Sequence, residues 1–399
     1  MGFEYELSAE HIKLKEVIRD FGSKVVLPLA AKYDKSEETP WDILKEAAKQ
    51  GIYHPNFFST LMADPTGVSA LVVAEELASF DAGVALSILY PALPLTAVAL
   101  TATDEEKSVI IPGILGDKDF PKVISFAASE KGAGSDVSRY ETTAVKSGDG
   151  WVINGSKRWA GNAVDASVFF VVAQVDKELG SKGQALFMIP RESQGVLVGE
   201  QFTKLGLRCM THADITFNNV TLPAEGLVGG LDKLERRLVN ARNSVGSALA
   251  LQTFEATRPL VAAMAVGVAR GAHEVALRYA KEREVFGKSI GEHQQIAAIL
   301  ADQRTKIDAA RLMAYRAADM QAKGLPMLAK EGSMAKLFAA EVVRDVTSSA
   351  ISIAGGIGFT GMLSLERAYR DAPIFGIFEG TDQIQRLLIA SALLKRRIR

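Results

Sequence analysis

The chain has 399 residues, of which 48% are hydrophobic and 23% are charged. Its 46 Lys and Arg almost cancel its 47 Asp and Glu, and the net charge of −1 gives no overall field that would attract a polyanion, so we expect no nucleic-acid partner. A chain of this length is expected to form two or three packed domains that are large enough to enclose a cofactor.

The composition also limits the chemistry. Cys209 is the only cysteine, and the five histidines lack the spacing of a metal motif, so we expect neither an internal disulfide nor a metal site. The first residues carry acids and lack an apolar or Arg-rich leader, which favours a cytoplasmic protein. The longest apolar stretch, 82–103, contains Pro91 and Pro94, so we interpret it as buried helix and turn rather than as a membrane span.

Residues 1–121 are predicted to form an N-terminal helical domain. Ser8 is suited to cap a helix that runs toward Val26, and Thr103 is suited to cap another, because a side-chain hydroxyl can accept a hydrogen bond from a free backbone N–H at a helix start.

Residues 122–230 change to short β-rich runs that are separated by Gly, Asp and Asn, and they are predicted to form a middle domain built on a small sheet or barrel. The pair Asp149–Gly150 predicts a hairpin turn. The runs are VISFAAS, YETTAVK, GWVING, SVFFVVAQV, QALFMIP and ADITFNNVTL.

Residues 231–399 return to a helical pattern, and no further strand is expected. Helices are predicted over 257–283, 292–323 and 327–353 and from 381 onward. Helices followed by strands and again by helices indicate an α+β protein rather than alternating βαβ units. The Gly-rich stretches do not lie between a strand and a helix as a dinucleotide fingerprint requires, which disfavours NAD as a tightly bound cofactor.

Two stretches of the middle domain are candidates for ligand binding. In ISFAASEKGAGSD, 124–136, a strand leads into a loop of small residues whose backbone can approach a ligand closely, and Ser135 can hold phosphate or carbonyl oxygens. In NGSKRWAGN, 154–162, Trp159 could cover a flat ring. An ordinary Gly-rich turn and a packed Trp have the same appearance, so neither stretch decides the function alone.

Two stretches of the C-terminal domain are similarly ambiguous. AKEREVFGKSIGEHQ, 280–294, places Arg283 and Phe286 before a glycine, where the guanidinium could pair with a pyrophosphate or could be solvated. AISIAGGIGFTG, 350–361, has Gly355 and Gly356 where a helix should end, either as a cap or as a contact for a ligand from another subunit.

The most informative stretch is DAPIFGIFEGTDQIQ, 371–385, in which Thr381 is predicted to cap a helix that begins directly after Glu379. The helix dipole favours the carboxylate anion, whereas the neighbouring apolar side chains Phe375, Ile377 and Phe378 would desolvate it and raise its pKa. The sequence does not decide between these effects. A glutamate at this position is also common as a structural or exposed residue.

Together and in this order, these stretches resemble the acyl-CoA dehydrogenase family over nearly the whole chain. The resemblance is to the medium-chain type in FEATRPLVAAMAVGVARGA, YAKEREVFGK, EHQQIA and IFEGTDQIQRLLIA. It implies an acyl-CoA dehydrogenase-like fold with a C-terminal four-helix bundle and with FAD between the last two domains and a neighbouring subunit. It also implies a homotetramer, a dimer of dimers, that passes electrons to electron-transfer flavoprotein.

By this resemblance Glu379 is the base that removes the α-proton of an acyl-CoA, while its backbone N–H and the FAD ribityl 2′-hydroxyl polarise the thioester carbonyl. The residues implied for FAD are Phe126, Ala128, Ser129, Ser135, Trp159, Gly161, Arg283, Phe286, Gln294, Gly355, Gly356, Thr381 and Gln383. The residues implied for acyl-CoA are Tyr90, Ser135, Glu255, Arg258 and Gly380.

The chain departs from the family pattern at four positions. Lys131 replaces a proline of the Gly-rich loop, and Gly161 replaces a hydroxyl residue that contacts the flavin. Ser352 replaces a glutamine near the intersubunit FAD contact, and Ser391 replaces an arginine that contacts CoA. Thr257 occupies the position where some members keep their base instead, which supports Glu379.

Substrate and acceptor remain open at this point. The acyl pocket is expected around 82–95, where Tyr90, Pro91 and Pro94 could shorten or bend it, which disfavours long straight chains but leaves branched, aromatic, alicyclic and dicarboxylic groups. An oxidase of the same fold that uses oxygen is an alternative. A non-catalytic scaffold is another, although scaffolding requires none of Glu379, Arg258 and Arg283.

Overall fold

The computed structural model describes residues 7–243, 249–396 and 398. The chain runs from helices to strands and back to helices, which confirms the predicted α+β class with its helical, β and helical domains. The first eight α-helices are α1 (Ala9–Phe21), α2 (Leu27–Ser36), α3 (Trp41–Lys49), α4 (Pro55–Ala63), α5 (Val68–Ala78), α6 (Ala82–Leu89), α7 (Ala92–Thr101) and α8 (Asp104–Gly113).

The predicted caps of the first domain are formed. Ser8 accepts a hydrogen bond from the N–H of His11, and Thr103 accepts one from Glu106, whose side chain in turn accepts from the Thr103 N–H. The first helical segment extends further than predicted, because a π-helical turn, Gly22–Val26, joins α1 to α2. Pro28 lies just after this turn and does not end the helical segment, which continues to Ser36.

The middle domain contains the predicted strands and one more, the short β6. The strands are β1 (Ile124–Ala127), β2 (Thr143–Ser147), β3 (Gly150–Gly161), β4 (Val168–Gln174), β5 (Gln184–Pro190), β6 (Val196–Val198) and β7 (His212–Leu222). They form one sheet in the order β1-β4-β2-β3-β7-β6, with β5 paired to β4. The pairs β1–β4 and β2–β4 are parallel and the others are antiparallel.

The predicted hairpin between β2 and β3 is present, but its turn lies one residue earlier. Ser147 pairs with Gly150, so the two turn residues are Gly148 and Asp149, and Gly148 has a φ of 57°. The glycine that the turn requires is therefore Gly148, because its positive φ is unfavourable for a residue with a Cβ.

The C-terminal domain is built on long helices that pack around α10. Its elements are α9 (Gly230–Arg242), α10 (Leu249–Glu282), α11 (Gln294–Ala322), α12 (Glu331–Ala354), α13 (Leu365–Asp371) and α14 (Asp382–Leu393). Helices α10, α11 and α12 pack on one another, and α14 lies against α12. The prediction that no strand follows residue 231 was wrong in one detail, because β8 (Glu284–Val285) and β9 (Lys288–Ser289) form a small hairpin after α10.

Helix α10 also joins the first and last domains. A Cβ at Gly267 would collide with the carbonyl oxygen of Glu75, and one at Gly271 would collide with that of Ser79. The backbones of α10 and α5 therefore touch at these two glycines, and side chains from both helices belong to one hydrophobic core.

Two segments have the length and apolar character of a membrane span, namely Ala82–Thr101 and α10. In each, most of the apolar window is buried inside the protein, 67% and 72% respectively. Helices in the core of a protein are buried in this way. The absence of a membrane span stays a prediction.

Candidate active site

Glu379 lies in the short turn that leads into α14. Thr381 caps this helix by accepting a hydrogen bond from the N–H of Ile384 at 3.3 Å, as the sequence predicts. Glu379 has a φ of 52°, which residues with a Cβ rarely adopt, and Gly380 follows with a φ of 98°. The contacts around the turn must therefore hold the carboxylate in place at the helix N-terminus.

The Glu379 carboxylate is half-buried, and its Oε2 accepts a hydrogen bond from the Thr257 hydroxyl at 2.5 Å. Burial raises the pKa of Glu379 to about 7, against the opposing effects of this hydrogen bond and of the positive charges of Arg258 and Lys336. Desolvation thus outweighs the hydrogen bond and the two positive charges that favour the anion. A carboxylate with a pKa near neutrality can accept a proton at physiological pH.

Lys336, on α12, is a neighbour of Glu379 that the sequence did not reveal. Its side chain is almost completely buried, and its ammonium donates to the carbonyl oxygen of Gly380 at 2.7 Å. Burial lowers the pKa of Lys336 to about 8. The Gln385 amide donates to the same carbonyl at 2.9 Å and to that of Glu379 at 3.3 Å. These two side chains therefore fix the backbone of the strained turn.

Arg258 follows Thr257 on α10 and is 4% exposed. One of its terminal nitrogens donates to the Ser333 hydroxyl at 3.0 Å, whereas its Nε has no hydrogen-bond partner among the described residues. A buried guanidinium with unused donors is costly unless a ligand supplies acceptors. Arg258 is thus suited to a polar or anionic group in the site.

Glu379 borders a cavity of about 1220 Å³ that extends between the three domains. Its mouth and walls contain most of the residues that the sequence predicted for the site. These are Tyr90, Phe126, Ala128, Ser129, Ser135, Trp159, Gly161, Arg258, Gly380 and Thr381, together with Glu379 itself.

A buried ion pair holds the Gly-rich loop at this cavity. The Lys157 ammonium donates to a Glu130 carboxylate oxygen at 2.7 Å and to the carbonyl of Ala128 at 2.9 Å. Glu130 also accepts hydrogen bonds from the backbone N–H groups of Glu141 and Thr142, so its carboxylate is fully engaged despite its burial. Lys157 therefore holds the loop in place through Glu130 and Ala128, although Lys131 replaces the expected proline.

Trp159 lies beside this loop at a bulge in β3, with a φ of 62° and 55% of its surface exposed. Its ring packs on Phe202 at 4.6 Å between centroids, and the Arg158 guanidinium lies over it. The remaining indole surface borders the cavity, so Trp159 is available to a flat ligand.

Tyr90 explains the unusual glycine at 161. The Tyr90 hydroxyl bonds to both backbone groups of Phe126, donating to the carbonyl at 3.2 Å and accepting from the N–H at 3.3 Å. This fixes its ring so that a Cβ at Gly161 would lie 2.7 Å from the ring and 2.5 Å from the end of Met210. The Tyr90 ring thus fills the space that a hydroxyl residue at 161 would need.

Five predicted FAD residues lie away from the cavity. Arg283, Phe286, Gln294, Gly355 and Gly356 are exposed at the opposite end of the helical domain, where α10 and α12 end and α11 begins. At the helical rise per residue, Thr257 and Arg283 are separated by about 39 Å along α10. These five residues do not meet Glu379 within one chain, so their predicted role requires a second chain.

The remaining predicted residues lie at the margins of the site. Gln383 is exposed on α14, and Glu255 pairs with Lys330 at 2.6 Å. Gln383 and Glu255 do not border the cavity. Ser391 borders the cavity, and its hydroxyl accepts from the N–H of Ile398. Ser352 is exposed and donates to Ser348 of its own helix.

Comparisons with known proteins give one consistent result. The family models for the N-terminal, middle and C-terminal domains of acyl-CoA dehydrogenase match residues 8–118, 125–220 and 245–394. The probable acyl-CoA dehydrogenase FadE25 of Mycobacterium tuberculosis is 33% identical over 98% of this chain and 97% of its own length. The short-chain specific acyl-CoA dehydrogenase of Bos taurus mitochondria is 34% identical over 98% of this chain and 91% of its own.

Solved structures agree with these matches. The butyryl-CoA dehydrogenase from Megasphaera elsdenii superimposes with a TM-score of 0.86 at 28% identity, covering 98% of this chain and 100% of that one. A chain from the structure of the electron transferring flavoprotein of Acidaminococcus fermentans has a TM-score of 0.87 at 30% identity, also covering 98% of this chain and 100% of that one.

We predict that Gly161→Ser destabilises the protein because its side chain would overlap the Tyr90 ring. Overpacking of this kind costs about 1–3 kcal/mol and should lower the melting temperature in calorimetry. In a Tyr90→Ala background the same substitution should cost much less, because only the flexible end of Met210 must move. An equal loss in both backgrounds would show that Tyr90 is not the obstacle.

We predict that Thr257→Val raises the pKa of Glu379 above about 7, because it removes a hydrogen bond that stabilises the anion. Infrared titration of the carboxyl band that Glu379→Gln abolishes measures this pKa. Thr253→Val is the matched control, since Thr253 is buried one turn earlier and donates to Leu249 of its own helix. The hydrogen-bond assignment is wrong if the two valine variants titrate alike.

Proposed function

The chain belongs to the acyl-CoA dehydrogenase family, and on this basis we propose that it converts an acyl-CoA thioester to the trans-2-enoyl-CoA with Glu379 as the base. The observation that carries the proposal is a half-buried carboxylate with a pKa of about 7 on the wall of a cavity of about 1220 Å³. A group of this kind, in a cleft and with a strongly shifted pKa, is a usual sign of proton-transfer chemistry.

Members of this family are FAD-dependent oxidoreductases, and the cavity fits that cofactor. Lys204 and Arg258 place two cationic side chains on its wall, and such groups are suited to anionic or carbonyl oxygens of bound molecules. The flavin ring of FAD would be held by the loop that contains Ser129 and Ser135 and by the exposed face of Trp159. When bound, FAD supplies the acceptor for the β-hydride.

Residues of the chain account for the proton transfer of the reaction. The Glu379 carboxylate takes the α-proton of the thioester while the hydride leaves the β-carbon. The electron pair of the α C–H bond forms the Cα=Cβ bond, and the pair of the β C–H bond leaves with the hydride and reduces the acceptor. Substrate that fills the cavity would expel water and desolvate Glu379 further, which makes it a stronger base. The Thr257 hydroxyl limits this rise and keeps the group ionisable.

The developing charge on the thioester oxygen needs a donor, and the Glu379 N–H is a candidate. None of the backbone hydrogen bonds found among the described residues uses this N–H. Lys336 and Gln385 fix the adjoining carbonyl groups, so the N–H direction is held before substrate binds. Donors that are oriented in advance stabilise an oxyanion at little reorganisation cost.

We further propose a homotetramer that passes electrons to electron-transfer flavoprotein. The exposed group of Arg283, Phe286, Gln294, Gly355 and Gly356 supports an assembly in which one chain completes the flavin site of another, since it lies about 39 Å along α10 from the level of Glu379. The likeness to a chain from an electron transferring flavoprotein structure supports the acceptor. Cytoplasmic localisation stays a prediction.

We predict that the purified protein binds FAD and that an acceptable acyl-CoA bleaches its flavin absorbance anaerobically. Glu379→Gln should keep the flavin and slow bleaching by about 10³-fold or more, because an amide cannot accept the proton. Glu105→Gln, an exposed change on α8, is the control and should bleach like the wild type.

Normal bleaching in Glu379→Gln would refute the base assignment, and a protein that never takes up FAD would refute the proposed function. The peroxide yield in air then tests the acceptor. Slow peroxide formation together with fast turnover on electron-transfer flavoprotein is expected, whereas stoichiometric peroxide at full rate would indicate the oxidase.

A further inference from the structure

The cavity wall on α10 becomes more deeply buried along the helix. Leu251, near the start, is 41% exposed, whereas Val261 is 4% exposed and Met264 is 2% exposed. All three border the cavity, and Thr257, which bonds to Glu379, lies between them. A chain that enters past Leu251 therefore passes Glu379 before it reaches Met264.

The cavity ends at Met264. Within the described part of α10, no residue beyond Met264 borders the cavity. The next turn brings Gly267, and the turn after it Gly271, where the backbones of α10 and α5 touch. Met264 is therefore the last α10 side chain on the cavity wall, and its side chain closes this end of the wall.

The distance from Glu379 to this end limits the length of an acyl chain. Thr257, level with the carboxylate, and Met264 are separated along α10 by about 10 Å at the helical rise per residue. An extended chain of single bonds advances about 1.2 Å per bond, as a fully extended backbone does. About eight bonds beyond the α-carbon therefore fit, which corresponds to an acyl group of about ten carbons.

The deep segment is also uncharged. Among the described residues, those that border it from α6, α7 and the 260–264 part of α10 carry no charge. They include Leu86, Leu89, Leu93, Val261 and Met264. The Tyr90 hydroxyl is already bonded to the backbone of Phe126. A second carboxylate on an acyl group long enough to reach this segment would thus be buried there without a partner.

We propose that the substrate is the thioester of an uncharged acyl group of at most about ten carbons, with Met264 as the specificity-determining residue at the closed end. This rests on the proposed function. It removes from the open alternatives the dicarboxylic groups that are long enough to reach the deep segment, and it replaces the general expectation against long straight chains with a measurable limit.

The experiment compares kcat/KM for butanoyl-, octanoyl-, dodecanoyl-, hexadecanoyl- and octanedioyl-CoA on the FAD-loaded enzyme. Octanoyl-CoA should exceed hexadecanoyl-CoA and octanedioyl-CoA by roughly 10²-fold or more, because the latter two would overfill the pocket or bury a charge. Comparable values for hexadecanoyl- or octanedioyl-CoA would overturn the limit while the proposed function stands. If none of the five reduces the flavin, and branched, aromatic and alicyclic acyl-CoAs of up to about ten acyl carbons also leave it oxidised, the proposed function fails and this proposal with it.

The variant Met264→Ala tests the end wall. It should raise kcat/KM for dodecanoyl-CoA relative to octanoyl-CoA by about tenfold, because the shortened side chain lengthens the pocket. Met313→Ala is the matched control, since Met313 packs against the same core from α11 without bordering the cavity, and it should leave the ratio unchanged. An equal ratio in wild type, Met264→Ala and Met313→Ala would show that Met264 does not set the length.

Discussion

The balance of forces on the Glu379 carboxylate is the constraint on which the rest of the site depends. Burial disfavours the anion, whereas the Thr257 hydroxyl and the charges of Arg258 and Lys336 favour it, and the net result is a pKa of about 7. With less burial the group would be a weak base, and with fewer stabilising partners it would stay protonated. Helices α10 and α12 supply the side chains that favour the anion.

Helix α10 links that chemistry to the shape of the pocket. It carries Thr257 and Arg258 beside the carboxylate, Val261 and Met264 along the deep wall, and glycines that bring its backbone against α5. Because these features lie on one rigid helix, the distance from the base to the closed end is fixed. The same helix ends at Glu282, next to Arg283, so its length also separates the base from the residues that are proposed to serve a second chain.

Local patterns predicted the parts of the fold that depend on neighbouring residues. Ser8, Thr103 and Thr381 cap helices as expected, since capping needs only a hydroxyl and the next few N–H groups. The β2–β3 turn was predicted one residue late, because Gly148 and Gly150 both neighbour Asp149 and only the strand register selects between them.

Features that depend on tertiary contacts could not be predicted in this way. No local pattern in the sequence marks Lys336, and only packing shows that it is buried against the carbonyl of Gly380. Gly161 looked like a lost flavin contact, and the structure shows that the Tyr90 ring occupies its space. The sequence placed Glu379 at a helix start but could not decide whether the dipole or burial controls its pKa.

The most direct test of this account is the pH dependence of the rate at which substrate reduces the flavin, divided by the substrate dissociation constant. This quantity reports the free enzyme, in which Glu379 must be deprotonated to act. We expect this quantity to rise about tenfold per pH unit below pH 7 and to level off above it, following the pKa of about 7. A value that does not change between about pH 5.5 and 8.5 would contradict the account, because such a base would have the pKa of an ordinary exposed carboxylate.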